Sequence, residues 1–332
     1  MKLIFCGTPE FAVPTLRRLH AEGFIPTVVV TQPDRPKGRG LVPTPPPVKQ
    51  AAQALGLPVE QPENLKGEAG RALLERYQPE AVVIVGYGQL IPGELLEIPR
   101  YGWINLHASL LPKYRGAAPV QWALIRGESV TGVTTMRIDA GLDTGPILLQ
   151  AEEPIREDDT ALTLGQRLAE RGASLMVETL RGLAAGTVTP QPQDSSQASK
   201  APLLKREHGR IDWTLPARDI YNRIRGLLPW PGAFTGFRGQ RLHLWWGKPA
   251  EAPAGVVLAP SPGMLLVEKH ALYVACGVSP RQGPGGSARD SVGDGTWLRL
   301  EEVQPENRRR MSATDFINGL HVKTGERFET PP

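Results

Sequence analysis

Cysteine is nearly absent from this sequence. Cys6 and Cys276 are the only two, and they stand near opposite ends of the chain. That spacing forms neither a disulfide framework nor a metal site, so a reducing, cytoplasmic setting is expected. The six histidines (20, 107, 208, 243, 270 and 321) show no ligand spacing, and no metal is expected. No apolar run approaches the roughly 20 residues that span a bilayer, so no membrane partner is expected. Met1–Gly7 is apolar but short, with Thr8, Pro9 and Glu10 behind it, and reads as a first strand and not as a signal peptide. The glycine fingerprint G-x-G-x-x-G is missing after that strand, since Pro9 and Phe11 occupy its positions. A Walker-type loop is missing too, and nicotinamide and ATP chemistry lose their support.

What is present divides the chain in two, the natural expectation for 332 residues. Strands read at 2–7, 25–31, 81–85, 103–107, 131–138 and 146–152 alternate with helical spacing at 10–22, 47–55, 65–77, 117–127 and 160–185. Ala81-Val82-Val83-Ile84-Val85 is continuously apolar, as strands buried on both faces are. The alternation implies an α/β domain with an open, mostly parallel, Rossmann-like sheet over residues 1–186. Residues 187–206 carry a polar, Pro-rich stretch that reads as a linker. Over 207–332, a helix at 216–227 precedes short strands at 233–237, 241–245, 255–258, 264–267, 272–275 and 297–303. That spacing suggests a small β-barrel, with residues 279–293 as a hairpin excursion.

Charge follows the same division. Residues 1–200 hold 20 Lys and Arg against 21 Asp and Glu, while residues 201–332 hold 18 against 13. The basic excess in the C-terminal third fits a polyanionic partner, with nucleic acid first.

Three polar residues stand out in the first domain. Residues i and i+2 of a strand share a face, so Asn105 and His107 project together from the end of a buried strand. A buried amide costs a few kcal/mol, of order 2–7, unless it is hydrogen-bonded, so Asn105 needs a partner or a use. Ligand sites of open α/β sheets lie at such strand ends. Asp143, in Gly141-Leu142-Asp143-Thr144-Gly145, can bring a carboxylate to the imidazole, raising its basicity and fixing its tautomer. Asp139 reads as a turn residue. The long loop from Gln32 to Pro47 carries Arg35, Lys37 and Arg39, and reads as a basic finger or a mobile excursion.

Taken together, these segments resemble the folate-dependent formyltransferases over essentially the whole chain. The resemblance is carried by Cys6-Gly7-Thr8-Pro9-Glu10-Phe11, Thr31–Pro36 with Gly38-Arg39-Gly40, and Val85-Gly86-Tyr87-Gly88. It continues through Ile104–Pro112, Arg115–Pro119 and Gly141–Gly145, then Ile211-Asp212-Trp213, Pro229-Trp230-Pro231 and Met311-Ser312-Ala313. Three departures stand out: Ala108 where glycine is common, a longer 279–293 excursion, and Arg308-Arg309-Arg310 in place of Gly-Lys-Lys.

The resemblance implies the formyltransferase fold with an OB-like C-terminal barrel. It implies transfer of a formyl group from 10-formyltetrahydrofolate to the amino group of methionine on initiator tRNA, for translation initiation, by a monomer in the cytoplasm. Asn105, His107 and Asp143 would be catalytic. Ser109, Leu110, Leu111 and Pro112, with Tyr87 and Gly88, would bind the folate. Arg35, Lys37, Arg39, Arg308, Arg309 and Arg310 would hold the tRNA. The Asn-x-His plus Asp set is common to formyltransferases acting on other amines, so it marks the chemistry and not the acceptor. A formyltransferase for a nucleotide-linked amino sugar, a 10-formyltetrahydrofolate hydrolase and a non-catalytic RNA-binding module are the competing readings.

Overall fold

The computed structural model describes residues 1–37, 42–253, 261–277 and 297–329. The chain forms two compact units. Unit 1 holds residues 1–120, 129–155 and 163–202; unit 2 holds 121–128, 156–162 and 203–332.

Unit 1 is built on seven strands. They are β1 (Leu3–Gly7), β2 (Val28–Val30), β5 (Val59–Glu60), β6 (Ala81–Val85), β7 (Trp103–His107), β8 (Val130–Arg137) and β9 (Ile147–Pro154). A two-stranded hairpin, β3 (Arg35–Lys37) with β4 (Val42–Thr44), stands apart from that sheet. The helices are α1 (Val13–Ala21), α2 (Pro47–Ala54), α3 (Glu68–Tyr77), α4 (Pro119–Ile125) and α5 (Ala161–Ala185), the last two shared with unit 2. Strand order is β5-β2-β1-β6-β7-β8-β9. Pairing is parallel from β5 through β7 and antiparallel from β7 to β8 and from β8 to β9.

The apolar runs explain the parallel half. Leu3–Cys6, Val28–Val30 and Ala81–Val85 are almost wholly removed from solvent. Such two-sided burial suits strands covered on both faces by crossover helices. From β1 the chain winds one way to β2 and β5, then the other way through β6 to β7. The order reverses between β1 and β6, and a crevice outside the carboxyl ends of the strands is expected there.

Unit 2 carries α6 (Ala217–Gly226), then β10 (Ala233–Phe237), β11 (Gln240–Ala250), β12 (Leu265–Glu268), β13 (Ala271–Ala275), β14 (Trp297–Pro305), β15 (Met311–Ser312) and α7 (Ala313–Leu320). The antiparallel order is β10-β11-β14-β13-β12, with β15 on β14. The outer strands are bridged by the C-terminal segment. Gly236 and Glu329 exchange both backbone hydrogen bonds, while Leu265 N–H donates to Glu326 O and Phe328 N–H to Gly263 O. Closing the sheet this way removes exposed edges. The interior is filled by Ile220, Leu242, Leu265, Leu272, Val274, Leu298, Leu300 and Phe316, among others. The strand expected at 255–258 and the excursion at 279–293 lie outside the described residues.

Besides the short strands β5 and β15, the β3–β4 hairpin and helix α7 were not expected. The β3–β4 hairpin lies in the loop that read as irregular. Helix α7 is short, but its start was legible: Ser312 Oγ accepts from Asp315 N–H at 3.0 Å and meets Asp315 Oδ2 at 2.8 Å. This Ser-x-x-Asp pattern before Phe316 and Ile317 is a helix-start signature. Phe316 is fully buried, 5.4 Å from the Phe237 ring. Phe316→Ala is expected to lower unfolding free energy by about 3–5 kcal/mol, with the loss visible in urea titration.

Candidate active site

The site grows from the carboxyl ends of β1, β2, β6 and β7. Beyond β6, Gly86 and Gly88 turn the chain at positive φ. The Tyr87 carbonyl between them accepts from Thr8 Oγ1 at 3.1 Å and Gln32 Nε2 at 2.9 Å. The loops after β1, β2 and β6 are thereby tied together. The Tyr87 ring points into the core, 1 % exposed, with its hydroxyl unpaired. Burial pushes that hydroxyl's pKa upward.

On β7, Asn105 lies beside Ile84 of β6 and Met136 of β8, and His107 lies beside Thr134 of β8. Alternation puts Asn105 and His107 on one face. Asn105 is half-buried, and its amide makes no hydrogen bond to another described residue. His107 is 6 % exposed. Its Nε2 lies 2.9 Å from the Tyr114 carbonyl oxygen. A carbonyl only accepts, so Nε2 must carry the hydrogen. The other ring nitrogen, Nδ1, faces Asp143 Oδ2 at 3.7 Å. That is beyond hydrogen-bonding distance but within ion-pairing range. The tautomer is therefore set by Tyr114, and not by Asp143 as the residue pattern had suggested. With Nε2 committed, Nδ1 is the nitrogen left to face a reacting group, and it becomes a donor when it gains a proton beside the carboxylate.

Asp143 reaches this place through a strained turn. Its own φ is +53°, and its Oδ2 accepts from Gly116 N–H at 2.9 Å. Gly116 has φ +125°, and a Cβ there would come within 2.6 Å of the Ala201 carbonyl. At Gly145 a Cβ would meet the Arg137 carbonyl at 1.8 Å. Only glycine allows these backbone approaches. Asp139 closes the same turn, accepting from Gly141 N–H and Thr144 Oγ1.

Ser109–Pro112 follow β7 directly, so the expected catalytic and folate segments are contiguous. Much of that backbone is already committed. Thr134 Oγ1 donates to Ser109 O at 2.7 Å and accepts from Leu111 N–H at 3.1 Å. Gln150 Nε2 donates to Leu111 O and to Thr134 Oγ1, both at 2.9 Å. Ser109 Oγ donates to Lys113 O at 2.7 Å. Ser109 and Leu111 are buried, and Leu110 and Pro112 half-buried.

Both thiols are free and buried, which disfavours the nucleophilic thiolate. Burial pushes the Cys276 thiol up to about 12 and the Cys6 thiol higher still. Among the described residues no group of His, Cys, Asp and Glu could hold a metal.

The expected tRNA cations are distributed differently. Arg35 is exposed on β3, Lys37 ends that strand, and Arg39 lies outside the described residues. In unit 2, Arg308 and Arg309 are exposed. Arg310 pairs with Glu302 and stacks over Trp245 at 4.8 Å.

Residues 1–180 match the formyl transferase family model, and residues 203–321 match that of the formyl transferase C-terminal domain. The chain belongs to the formyl transferase family. It is 53 % identical to the methionyl-tRNA formyltransferase of Acidobacterium capsulatum over 96 % of each chain. To the same-named protein of Solibacter usitatus it is 50 % identical over 99 % and 98 %. Its fold is shared with the N-formyltransferase of Helicobacter canadensis, solved with folinic acid and dTDP-3-aminofucose. The TM-score is 0.63 at 16 % identity, covering 92 % of this chain and 99 % of that one. HypX from Aquifex aeolicus, solved with tetrahydrofolic acid, gives 0.57 at 17 %, and this chain spans about half its length, 48 %.

The expected site residues Asn105, His107, Ser109–Pro112 and Asp143 thus occupy one strand end and two adjoining loops. Sequence reasoning missed Thr134, Gln150, Gln193 and Ser199. The threonines of β8 were a usable signal, since Thr131, Thr134 and Thr135 are hydroxyls within a buried strand. Replacing Thr134 with Val leaves the Leu111 N–H without its acceptor. A loss of about 1–3 kcal/mol is expected in thermal or urea unfolding, with Thr134→Ser close to wild type.

Proposed function

We propose that this chain transfers the formyl group of 10-formyltetrahydrofolate to the free amino group of methionyl-initiator tRNA. The observation that carries the chemistry is the meeting of His107 Nδ1 and Asp143 Oδ2 beside the uncommitted Asn105 amide. The full-length similarity to proteins named methionyl-tRNA formyltransferase supports the acceptor.

The residues fit an oxyanion site. The amine attacks the formyl carbon, and charge collects on its oxygen. Asn105 Nδ2 donates to that oxygen, and so does His107 Nδ1 once protonated. Donors aimed at a developing charge in a half-buried site are worth about 10²–10³ in rate each. Asp143 stabilises the imidazolium and accepts the proton that the attacking ammonium must lose. Collapse of the tetrahedral intermediate breaks the bond to N10 of the folate, and that nitrogen takes up the proton. The new C–N bond remains on methionine. No enzyme-bound acyl group is required, in keeping with the two inert thiols.

Ser109–Pro112 would flank the pteridine, with Gly88 at the opposite loop. Since Leu111 N–H and O are already paired, the apolar faces of Leu110 and Pro112 are the parts free to pack on it. Tyr87 would act through its backbone, its ring being buried. Arg35, Lys37 and Arg39 would hold the acceptor end, and Arg308 and Arg309 the RNA backbone. Arg310, paired with Glu302 and stacked on Trp245, would mainly order that segment. The buried, unpaired thiols suit the cytoplasm.

Three experiments test this reading. Labelled 10-formyltetrahydrofolate is incubated with methionyl-tRNA, a free amino sugar or water alone; label on the tRNA is expected, and label elsewhere overturns the acceptor. Asn105→Ala and Asp143→Ala are each expected to lower kcat by about 10²–10³. Near-normal turnover in both removes the catalytic assignment. In a salt titration of tRNA binding, Arg308→Ala should flatten the slope by about 1, as loss of one phosphate contact does. An unchanged slope excludes that contact.

A further inference from the structure

Residues 187–202 have a linker's composition, yet residues 191–201 are woven into unit 1. Gln191 and Ile147 exchange both backbone hydrogen bonds. Ser199 O accepts from Arg115 N–H at 2.8 Å, and Ser199 Oγ from Tyr114 N–H at 2.9 Å. Ala201 N–H donates to Arg115 O at 2.7 Å. Across 191–200, Gln193 and Ser199 are the two residues that are not exposed.

Gln193 makes the decisive contacts. Its Nε2 donates to the Asp143 carbonyl at 2.9 Å and the Gly145 carbonyl at 2.7 Å. Its Oε1 accepts from Arg115 Nε at 3.1 Å and Nη2 at 2.7 Å. A guanidinium only donates, so Oε1 must face Arg115 and both amide hydrogens must face the carbonyls. The amide orientation is therefore determined without ambiguity.

These contacts close a ring around Asp143. The Asp143 carboxylate is held by the Gly116 N–H, and its carbonyl by Gln193. Arg115, next to Gly116, holds Gln193 in turn. Asp143 sits at φ +53°, a conformation that an L-residue keeps only when its surroundings impose it. One further link matters: Ser199 holds Tyr114, whose carbonyl holds His107 Nε2. The 191–201 segment thus grips both partners of the His107–Asp143 pair.

We infer that Gln193 is a positioning residue for formyl transfer, acting through Asp143 by clamping the Gly141–Gly145 turn. The inference rests on the catalytic role proposed for Asp143. Gln193→Glu keeps the acceptor for Arg115 but removes both donors and repels the carbonyls. Gln193→Ala removes the clamp without adding charge.

The test compares wild type, both Gln193 variants, Asp143→Ala and the Gln193→Ala/Asp143→Ala double variant in the labelled formyl-transfer assay. Either Gln193 change is expected to lower kcat about 10- to 100-fold, the scale of a displacement near 1 Å. KM for tRNA and folate should stay within about twofold. In the Asp143→Ala background, losing Gln193 should cost less than about twofold more. A role confined to general stability would instead add in full in the double variant, and that result overturns the proposal, as does wild-type kcat in the Gln193 variants or a loss confined to KM. Amide hydrogen exchange over residues 139–146 is read without substrate: faster exchange in Gln193→Ala is expected, and unchanged exchange overturns the clamp. If wild type itself forms no formylmethionyl-tRNA, the functional reading fails, and the exchange result still decides the clamp.

Discussion

The hydrogen bond from His107 Nε2 to the Tyr114 carbonyl is the constraint on which the site depends. It settles which ring nitrogen carries a hydrogen at all times and which one can change. With Nε2 committed, Nδ1 is the chemically variable atom, and it points at Asp143 Oδ2. A carboxylate opposite a bare nitrogen lone pair is unfavourable, while one opposite an imidazolium is favourable. In the proposed mechanism Nδ1 is therefore the ring atom that meets the oxyanion. Release of the Tyr114 carbonyl would let the tautomer invert, and Asp143 would then face an Nδ1 that carries the hydrogen.

Much of the surrounding structure keeps these polar groups satisfied. Thr134 lies next to His107 across the β7–β8 pair and, with Gln150, holds the Ser109 carbonyl and both backbone groups of Leu111. Buried polar groups without partners are costly, and a fully connected network is rigid. Asn105 stands apart as the half-buried amide with no described partner, at the place where a substrate oxygen would supply one. The polar groups of this strand end therefore divide into those that support the loop and two, the Asn105 amide and His107 Nδ1, that make no hydrogen bond to a described residue.

Much of the fold was legible in local pattern. Continuous apolar runs such as Ala81–Val85 announced strands buried on both faces, and alternating helices implied the parallel half of the sheet. The antiparallel turn at β8 and β9 was not legible, because periodicity does not encode strand direction. The strand spacing suggested the small barrel but not the segment that closes it, since closure depends on residues 326–329 returning to strands about 60 to 90 positions earlier. At the site, the i, i+2 rule was enough to pair Asn105 with His107. Gln193 was invisible: in a run of Pro, Gln and Ser it looks like any solvated linker residue, and its function depends on a contact with a turn 50 positions away.

The sequence by itself determined the chemical inventory: an amide and an imidazole on one strand face, a carboxylate in a glycine-flanked turn, two widely separated cysteines, and a basic C-terminal third. Those follow from residue identity and from strand geometry, which act locally. The tertiary structure alone decided which imidazole nitrogen faces the carboxylate, which loop groups are already hydrogen-bonded, and that a polar segment braces the site. Each of these requires donors and acceptors from distant parts of the chain to meet within about 3 Å, and hydrogen-bond geometry at that range is set by packing and not by composition.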